Sequence, residues 1–467
     1  MKLHFFGATS EVTGSKHFLY TTKGKKYLLD CGMYQGRGQE ISLLNKELPV
    51  LPEEIEAILL SHAHIDHSGL IPYWYKQGFR GKIYCTPATF QVTQILLQDS
   101  AHIQEQDIRF VNKKREKQGL PAIEPLYSSR NVEKCLELFK VVPLHTRFRL
   151  CDEVEFIFTD AGHILGSASI HLKLFDINRE INLSFSGDVG RYNDLLLKSP
   201  EKFPQADYII CESTYGNRLH EKQKDGEMVL LNLVRNTCVE KRGKLIIPAF
   251  SLGRTQEIVF SLDKMKNAGL LPPINVYVDS PLSTNATDIM RDNLELLNDE
   301  IQKYAKKDPD PFGFNNLHYI KSAEESKRLN TWNEPCIIIS ASGMADAGRI
   351  KHHIMHALGS RRNTILLAGY CSPYSLGGEL LAGKKSVRIF GDYFEVKADI
   401  ESISSYSAHA DYEELLKYLS CQEIQKVKKV FLVHGEIDAK KSFSEKLKNA
   451  GFKDVQIPEK NQMIELQ

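Results

Sequence analysis

The chain has 467 residues, of which 42% are hydrophobic and 25% are charged, as is usual for a globular protein. Lys and Arg number 60 and Asp and Glu number 59, so the formal net charge is +1 at pH 7. This balance excludes nucleic-acid binding by bulk charge alone, but it does not exclude a local basic groove. A typical domain has about 150 residues, so this length predicts two or three compact units.

The N-terminal segment MKLHFFGATSEVTG lacks the apolar core of a secretory signal, and no run approaches the ~18 apolar residues of a membrane span. We therefore expect no signal peptide and no membrane segment. The nine cysteines include no CxxC pair, which argues against a disulfide framework and against a cysteine-type zinc site. Reduced, buried thiols and a cytoplasmic location are the resulting expectations.

The first part of the chain alternates short apolar runs with turn residues, which is typical of strands. Strands are predicted over 3–6, 27–29, 57–60, 82–85, 154–158, 170–174, 182–185 and 208–211. Helices are predicted over 69–76 and from about 89 to 117, where Gly119 and Pro121 end the second one. Many strands with few helices between them favour two packed sheets covered by helices.

From about residue 225 the pattern changes to strands that are each followed by a helix. The apolar runs LIIPAF, INVYVDS, PCIIISAS and NTILLAGY each precede such a helix. Repeated strand–helix units predict a parallel sheet flanked by helices. After about Phe394 the earlier pattern returns, with a helix over 412–419 and a strand over 429–433. We therefore predict one domain formed by 1–212 and 395–467, with a second domain, 213–394, inserted into it.

Four side chains of metal-ligand type, His62, His64, Asp66 and His67, follow the apolar run AILL within the segment HAHIDH. Burying three imidazoles and a carboxylate together is costly unless a cation or dense hydrogen bonding satisfies them. Neutral imidazoles and carboxylates suit Zn²⁺ or a similar metal. His62 and His64 can point to one side of the turn while Asp66 and His67 point to the other, which predicts two adjacent metals.

Three further candidates stand where an apolar run ends beside a glycine. They are His163 after VEFIFT, Asp188 after INLSF and His434 after VFLV. Each alone is as easily explained as a hydrogen-bonded core residue, but their order after HAHIDH is distinctive.

The segments LLDCG, HAHIDH, AGH and SGD resemble the metallo-β-lactamase superfamily. The inserted domain, with ESTYG, SAHAD and LVHGE, is similar to the β-CASP branch of nucleases, and most similar to the group that contains the mRNA 3′-end-processing endonuclease and its bacterial and archaeal homologues. The resemblance covers nearly the whole chain. It implies an α/β fold, an αββα sandwich with an inserted β-CASP domain of parallel sheet flanked by helices.

By position, the resemblance also implies two zinc ions per chain. The implied ligands are His62, His64 and His163 for one ion, Asp66, His67 and His434 for the other, and Asp188 between them. Asp30 would orient ligands through hydrogen bonds. Glu212 and His409 would form an acid pair beside the metals, and they join Asp66 as the implied catalytic residues. Relatives that act on DNA cross-links typically lack a histidine at the position of His434, so its presence points to RNA.

The chemistry of such a centre agrees with this implication. Two divalent cations about 3.5–4 Å apart can hold a bridging water, lower its pKa and clamp a phosphate for in-line displacement. Because hydroxide attack needs no ribose 2′-hydroxyl, the products should carry 5′-phosphate and 3′-hydroxyl ends. His409 is the candidate proton donor to the leaving 3′-oxygen, and Glu212 would keep it charged.

We therefore predict a zinc-dependent ribonuclease that binds single-stranded RNA and cleaves it mainly as an endonuclease. A 5′-exonuclease activity and a homodimer stay open. Arg254 and Arg349, at helix starts in the inserted domain, and Ser407 in the SAHAD segment are the candidate substrate-binding residues. His352, His353 and His356 crowd one helix without a matching carboxylate, which favours a solvated helix face.

Two other functions are open at this point. One is a small-molecule metallo-hydrolase on the same fold, which the inserted domain and the Glu212–His409 pair disfavour. The other is a non-catalytic scaffold for RNA processing, which the presence of all seven ligand positions disfavours.

Overall fold

A computed structural model describes residues 1–36, 38–176, 179–220, 224–369, 371–372, 374–403 and 407–467. The chain forms two compact units, of which the first combines Met1–Leu219 with His409–Gln467 and the second is His220–Ala408. Within the described ranges, no helix is both long and apolar enough to cross a membrane. The domain boundaries at 212/213 and 394/395 and the cytoplasmic location stay predictions.

The first unit contains two seven-stranded sheets, whose strands we number along the whole chain. The strands of the first sheet are β1 (Lys2–Phe5), β2 (His17–Tyr20), β3 (Lys26–Leu29), β4 (Ile55–Leu59), β5 (Lys82–Cys85), β6 (Phe139–Val141) and β22 (Gln462–Glu465). They lie in the order β22-β1-β2-β3-β4-β5-β6. The pairs from β22 to β3 are antiparallel, and those from β3 to β6 are parallel.

The second sheet supplies most of the strand ends at which the candidate ligands lie. Its strands are β7 (Phe148–Cys151), β8 (Val154–Asp160), β9 (Ala168–Asp176), β10 (Arg179–Phe185), β11 (Tyr208–Glu212), β20 (Lys429–Val433) and β21 (Val455–Gln456). They lie in the order β21-β20-β11-β10-β9-β8-β7. Strands β10, β11 and β20 are parallel neighbours, so their carboxyl ends share one edge.

Helices cover the outer face of each sheet. The helices of this unit are α1 (Gln39–Leu44), α2 (Ile65–Ser68), α3 (Ile71–Lys76), α4 (Pro87–Lys117), α5 (Ser129–Leu136), α13 (Tyr412–Leu419) and α14 (Ile437–Asn449). Short 3₁₀ turns occur at Pro52–Glu54 and Ile424–Lys426. Helix α13 begins with a capping box, in which Asp411 and Glu414 satisfy the first backbone N–H groups reciprocally.

Alternate residues of each strand face opposite sides of its sheet, and this alternation builds the layers. Leu59 of β4 lies in the core between the sheets together with Phe431 of β20. The preceding Ile58 instead packs on the outer face with Trp74 of α3. Leu432 of β20 packs on the opposite outer face against α13 and α14. The layers therefore follow the order helix, sheet, sheet, helix.

The second unit is built on one six-stranded sheet in which every pair is parallel. Its strands are β12 (Lys244–Pro248), β13 (Asn275–Val278), β14 (Leu317–Tyr319), β15 (Cys336–Ser340), β16 (Thr364–Ala368) and β19 (Asp399–Ile403), in the order β14-β13-β15-β12-β16-β19. A separate hairpin pairs β17 (Ser386–Ile389) with β18 (Asp392–Glu395).

Helices connect the strands of the second unit. They are α6 (Lys224–Val234), α7 (Arg254–Asn267), α8 (Pro281–Asp292), α9 (Asp299–Ala305), α10 (Ala323–Thr331), α11 (Ile350–Ala357) and α12 (Leu376–Leu381). A π-helical turn at Arg235–Glu240 follows α6, and a 3₁₀ turn lies at Leu294–Leu296.

The predicted fold class, an αββα sandwich with a parallel β-CASP sheet, is confirmed. Several short strands, among them β2 and β14, were not predicted from the sequence. Strand β14 has three residues, all partly or fully exposed, so it carries little apolar signal. Strand β19 lies after residue 394 and still joins the parallel sheet of the second unit, because long-range pairing rather than local pattern decides where a strand goes.

Candidate metal centre

The turn between β4 and α2 carries the first four predicted ligands. Strand β4 ends at Leu59, and helix α2 starts at Ile65 with His64 as its N-cap. The backbone N–H groups of His67 and Ser68 both donate to the carbonyl of His64, at 2.9 and 2.8 Å. This tight turn separates the histidines before it from Asp66 and His67 within it.

The other three predicted ligands follow strands of the second sheet. His163 follows β8, Asp188 follows β10 and His434 follows β20. Gly187 precedes Asp188 at φ 57°, and a Cβ there would lie 2.7 Å from the Cβ of Ser61. The glycine of the SGD segment is therefore required by both its backbone angle and its close approach to the HAHIDH turn.

Three imidazoles and one oxygen of Asp188 form the first ligand group. The Nδ1 atom of His64 lies 3.2 Å from the Nε2 atoms of both His62 and His163. The Oδ2 atom of Asp188 lies 3.5 Å from Nε2 of His62 and 3.6 Å from Nε2 of His163. All four ligand atoms lie within 4.8 Å of one another.

Asp66, His67 and His434 form the second ligand group. The Nε2 atoms of His67 and His434 are 3.1 Å apart, and Oδ2 of Asp66 lies 3.4 Å from Nε2 of His434. The other oxygen of Asp188, Oδ1, lies 3.3 Å from Nε2 of His67. The two oxygens of Asp188 therefore face different ligand groups.

These residues fit a pair of divalent cations. The Oδ1 atom of Asp188 is buried and has no hydrogen-bond partner among the described residues. A buried carboxylate oxygen without a donor is costly unless a cation lies beside it. Nitrogen and carboxylate ligands in groups of three or four suit borderline divalent metals such as zinc.

Burial also prepares two histidines of the first group, His62 and His64, for metal binding. It lowers the pKa of His62 well below its ordinary value and the pKa of His64 to about 4. Both imidazoles are then neutral near pH 7, which is the form that binds a metal.

Asp30 and Ser61 fix the ring nitrogens that face the centre. Asp30 is fully buried at the end of β3, and its Oδ2 accepts from Nδ1 of His67 at 2.6 Å and from the hydroxyl of Ser61 at 2.9 Å. Because that hydroxyl donates to Asp30, it accepts from Nδ1 of His62, at 3.0 Å. His62 and His67 therefore both hold Nδ1 in a hydrogen bond and direct Nε2 to the centre.

Thr214, which was not predicted from the sequence as a site residue, fixes the ring of His434 in the same way. Its Oγ1 lies 3.1 Å from Nδ1 of His434 and donates to the carbonyl of the same residue, also at 3.1 Å. The hydroxyl therefore accepts from Nδ1–H, which leaves Nε2 of His434 for a metal. The signal was present, since Thr214 lies in the ESTYG segment beside Glu212.

Three hydrogen bonds hold the N-terminal loop against the ligand turns, and none of them was predicted from the sequence. The carbonyl of Ala8 accepts from the backbone N–H of His434 at 2.8 Å, and Lys440 donates its Nζ to the carbonyl of Thr9. The backbone N–H of Ser15 donates to the carbonyl of Asp66 at 2.9 Å. The loop is thus tied to both segments that supply the second ligand group.

Glu212 and His409 lie together next to Asp188. The Nδ1 atom of His409 is 3.3 Å from Oε1 of Glu212 and 3.9 Å from Oδ2 of Asp188. Glu212 is fully buried, and its Oε1 also accepts from the backbone N–H of Val189 at 2.6 Å. Burial alone would lower the pKa of His409, but the carboxylate of Glu212 outweighs it and raises that pKa to about 9.

Arg254 and Arg349 have partners within the second unit. Arg254 is 6% exposed at the start of α7 and forms an ion pair with Glu257 one turn later. Arg349 donates to Oδ1 of Asp279 at 2.7 Å and to the carbonyl of Lys321 at 2.9 Å. Both arginines therefore form ion pairs within the second unit, and their role in RNA binding stays a prediction.

His353 corrects one expectation. We expected a solvated histidine face on α11, but His353 is buried and its Nε2 lies 2.6 Å from Oδ2 of Asp279. Asp279 is fully buried, and Ser326, His353 and Arg349 donate hydrogen bonds to its two carboxylate oxygens. His352 and His356 are exposed, as expected. Ser407 is half-buried, and its contact with substrate stays a prediction.

Three family models match this chain in succession. Residues 13–209 match the metallo-beta-lactamase superfamily, residues 255–380 match the Beta-Casp domain, and residues 393–458 match the Zn-dependent metallo-hydrolase RNA specificity domain.

Similar proteins come from all three domains of life. Ribonuclease TTHA0252 of Thermus thermophilus is 32% identical over 436 residues, which is 93% of each chain. The RNase J-like protein of Methanocaldococcus jannaschii is 31% identical over 438 residues, which is 93% of this chain and 92% of the relative. Cleavage and polyadenylation specificity factor 73 of Drosophila melanogaster is 29% identical over 434 residues, which is 92% of this chain and 59% of the relative.

One family accounts for the sandwich, the parallel second unit, the grouped ligands and these matches. Together they favour an RNA-cleaving enzyme over a small-molecule hydrolase or a scaffold. The chain belongs to the β-CASP family of metallo-β-lactamase-fold ribonucleases, and it is a metal-dependent endoribonuclease.

Proposed function

We propose that this enzyme holds two zinc ions per chain and hydrolyses single-stranded RNA to products with 5′-phosphate and 3′-hydroxyl ends. The observation that carries the proposal is the placement of Asp188. Its two oxygens face two separate groups of three ligands, namely His62, His64 and His163, and Asp66, His67 and His434. A carboxylate between two ligand groups is what a pair of adjacent cations requires.

When bound, the two cations supply Lewis acidity, which activates water at neutral pH and offsets the phosphate charge. The chain supplies the orientation. Asp30, Ser61 and Thr214 hold three of the ligand imidazoles in one tautomer, so the centre needs little rearrangement.

His409 is the proposed proton donor to the leaving 3′-oxygen. Its Nδ1 faces Glu212, so the opposite nitrogen, Nε2, is the one that can donate to a substrate. The carboxylate of Glu212 stabilises the imidazolium, and nearby bound cations would oppose this effect. The pair thus keeps a charged acid beside the reacting phosphate.

Replacing Glu212 with Gln tests this pairing. We expect the fold and metal content to be retained and turnover to fall about 10-fold to 100-fold, as when the partner of a catalytic group is removed. The alkaline limb of the pH–rate profile should move to lower pH, because His409 loses the carboxylate that raises its pKa. An unchanged pH profile would contradict the assignment of Glu212 as the partner of His409.

The ends of the product RNA test the proposed chemistry. Short single-stranded RNAs labelled at either end would be incubated with the metal-loaded enzyme, and the fragments mapped. We expect 5′-phosphate and 3′-hydroxyl ends, and continued cleavage when a 2′-deoxynucleotide stands at the cut site. Fragments with 2′,3′-cyclic phosphate ends would contradict attack by water. Chelator-treated protein is the matched control.

A circular RNA substrate distinguishes endonuclease activity from 5′-exonuclease activity. We propose that endonuclease activity dominates, so the enzyme should cut a circle that offers no end. A 5′-exonuclease activity would show as release of mononucleotides from linear RNA with a 5′-monophosphate. Cleavage of linear RNA alone would contradict the endonuclease assignment.

A further inference from the structure

The outer half of α4, which we define as residues 102–117, packs no apolar face against the rest of the protein. The buried residues of this 31-residue helix all lie between Ala88 and Ala101, and none lies in its last sixteen residues. Most of the stability of a helix in a protein comes from packing of an apolar face. A helix that extends this far without burial suggests a surface that another molecule covers.

One side of this outer half is covered by the chain that follows it. Asn112 makes two hydrogen bonds of 2.9 Å with the backbone of Ile123, and Arg115 donates to the carbonyl of Pro121 at 2.7 Å. The returning segment therefore fixes the helix in place and leaves the opposite side open.

The open side carries two large apolar residues two turns apart. Ile103 is 47% exposed and Phe110 is 61% exposed. A spacing of seven residues places both on one face of the helix. The ring of Phe110 is covered only in part, by Lys114, whose Nζ lies 4.5 Å from the ring centroid.

The charges along the outer half are divided by sign. At spacings of three, four or seven residues from Ile103 or Phe110, the open side carries Asp99 and Asp107 first and Lys114 and Lys117 last. Glu105 lies on the covered side, where it accepts from the backbone N–H of Ser129 at 2.8 Å. An identical helix laid antiparallel would bring the acidic end of each copy against the basic end of the other. A parallel arrangement would bring like charges together.

We propose that this face of α4 is a homodimer contact, in which two copies of the helix pack antiparallel about a twofold axis between residues 106 and 107. Ile103 of each copy then opposes Phe110 of the other, and Asp99 opposes Lys114. The same patch serves on both copies, as a twofold interface requires. The contact is about 24 Å long at 1.5 Å per residue, so it is small and dimerisation should depend on concentration.

Sedimentation equilibrium of the full-length protein over a wide range of concentration tests the dimer. We expect a monomer–dimer equilibrium that Phe110→Asp weakens by roughly tenfold or more, since a large apolar residue at the centre of a contact dominates its energy. Phe390→Asp is the matched control, because Phe390 is 54% exposed in the second unit and should not affect the equilibrium. Unchanged thermal unfolding would show that the variants remain folded.

A pair of charge reversals tests the register. Asp99→Lys and Lys114→Glu should each weaken self-association, because each places like charges opposite one another. A mixture of the two variants should form a heterodimer, since every facing pair is then of opposite sign.

Two results would overturn the proposal. One is a protein that stays monomeric at all concentrations, and the other is a dimer that Phe110→Asp and Lys114→Glu leave unchanged. A Lys114→Glu variant that loses RNA affinity in a monomeric protein would assign this face to RNA instead.

Discussion

Replacing His409 with Ala should lower turnover about 10²–10⁴-fold while both metals and the fold are retained, as is usual for a lost general acid. The reason is its position. His409 pairs with Glu212 through Nδ1 and lies beside Asp188, yet it belongs to neither ligand group. Metal analysis and steady-state turnover on one RNA would measure both effects on the same preparation.

The leaving group distinguishes proton donation from other roles of His409. In a substrate with a 3′-bridging phosphorothiolate the departing thiolate needs no proton, so His409→Ala should recover much of its lost rate. The ligand variant His434→Ala is the control, and it should not recover. An Ala variant that keeps its metals but shows no recovery would mean that His409 stabilises the phosphate charge instead.

Replacing Asp188 with Asn should have the other large effect. Removal of a residue that hydrogen-bonds to a metal ligand typically weakens metal binding 10-fold to 100-fold. Removal of a ligand shared by both groups should weaken it further. We expect the loss of at least one metal per chain and a fall in turnover of ~10³-fold or more, which corresponds to ~4 kcal/mol. Asn keeps the shape of the side chain, so the loss reflects the missing charge.

Thr214→Val should weaken metal binding less than Asp188→Asn does. It removes the two hydrogen bonds that join the Thr214 hydroxyl to Nδ1 and to the carbonyl of His434, so it should weaken metal binding 10-fold to 100-fold, and in the second ligand group only. Chelator competition followed by metal analysis would rank the two variants. An Asp188→Asn variant that keeps two metals and full activity would contradict the shared-ligand assignment.

Local pattern was enough to locate the strand ends that carry the centre. The predicted strands over 57–60, 182–185 and 429–433 end within one residue of β4, β10 and β20, and these strands precede the HAHIDH turn, Asp188 and His434. In each case a short apolar run is bounded by turn or capping residues, so the signal lies within the element itself. The ligand types then followed from their positions at strand ends.

Contacts between residues far apart in the sequence could not be predicted from local pattern. Nothing near Arg349 in the sequence indicates that it pairs with Asp279. That carboxylate lies 70 positions earlier, directly after strand β13. The same holds for His353, whose burial depends on that carboxylate. Ser61 and Thr214 orient ligand rings through single hydroxyl groups. The ESTYG segment places Thr214 near the centre, but which ring each hydroxyl orients is known only once its neighbours are placed.

Each chain should bind two metals, in the two ligand groups that share Asp188. Anomalous X-ray diffraction at the zinc absorption edge, from crystals of protein purified without added metal, would locate them. We predict two peaks per chain, one among His62, His64 and His163 and the other among Asp66, His67 and His434, with Asp188 beside both. A single peak, or peaks away from these residues, would show that Asp188 does not lie between two metals.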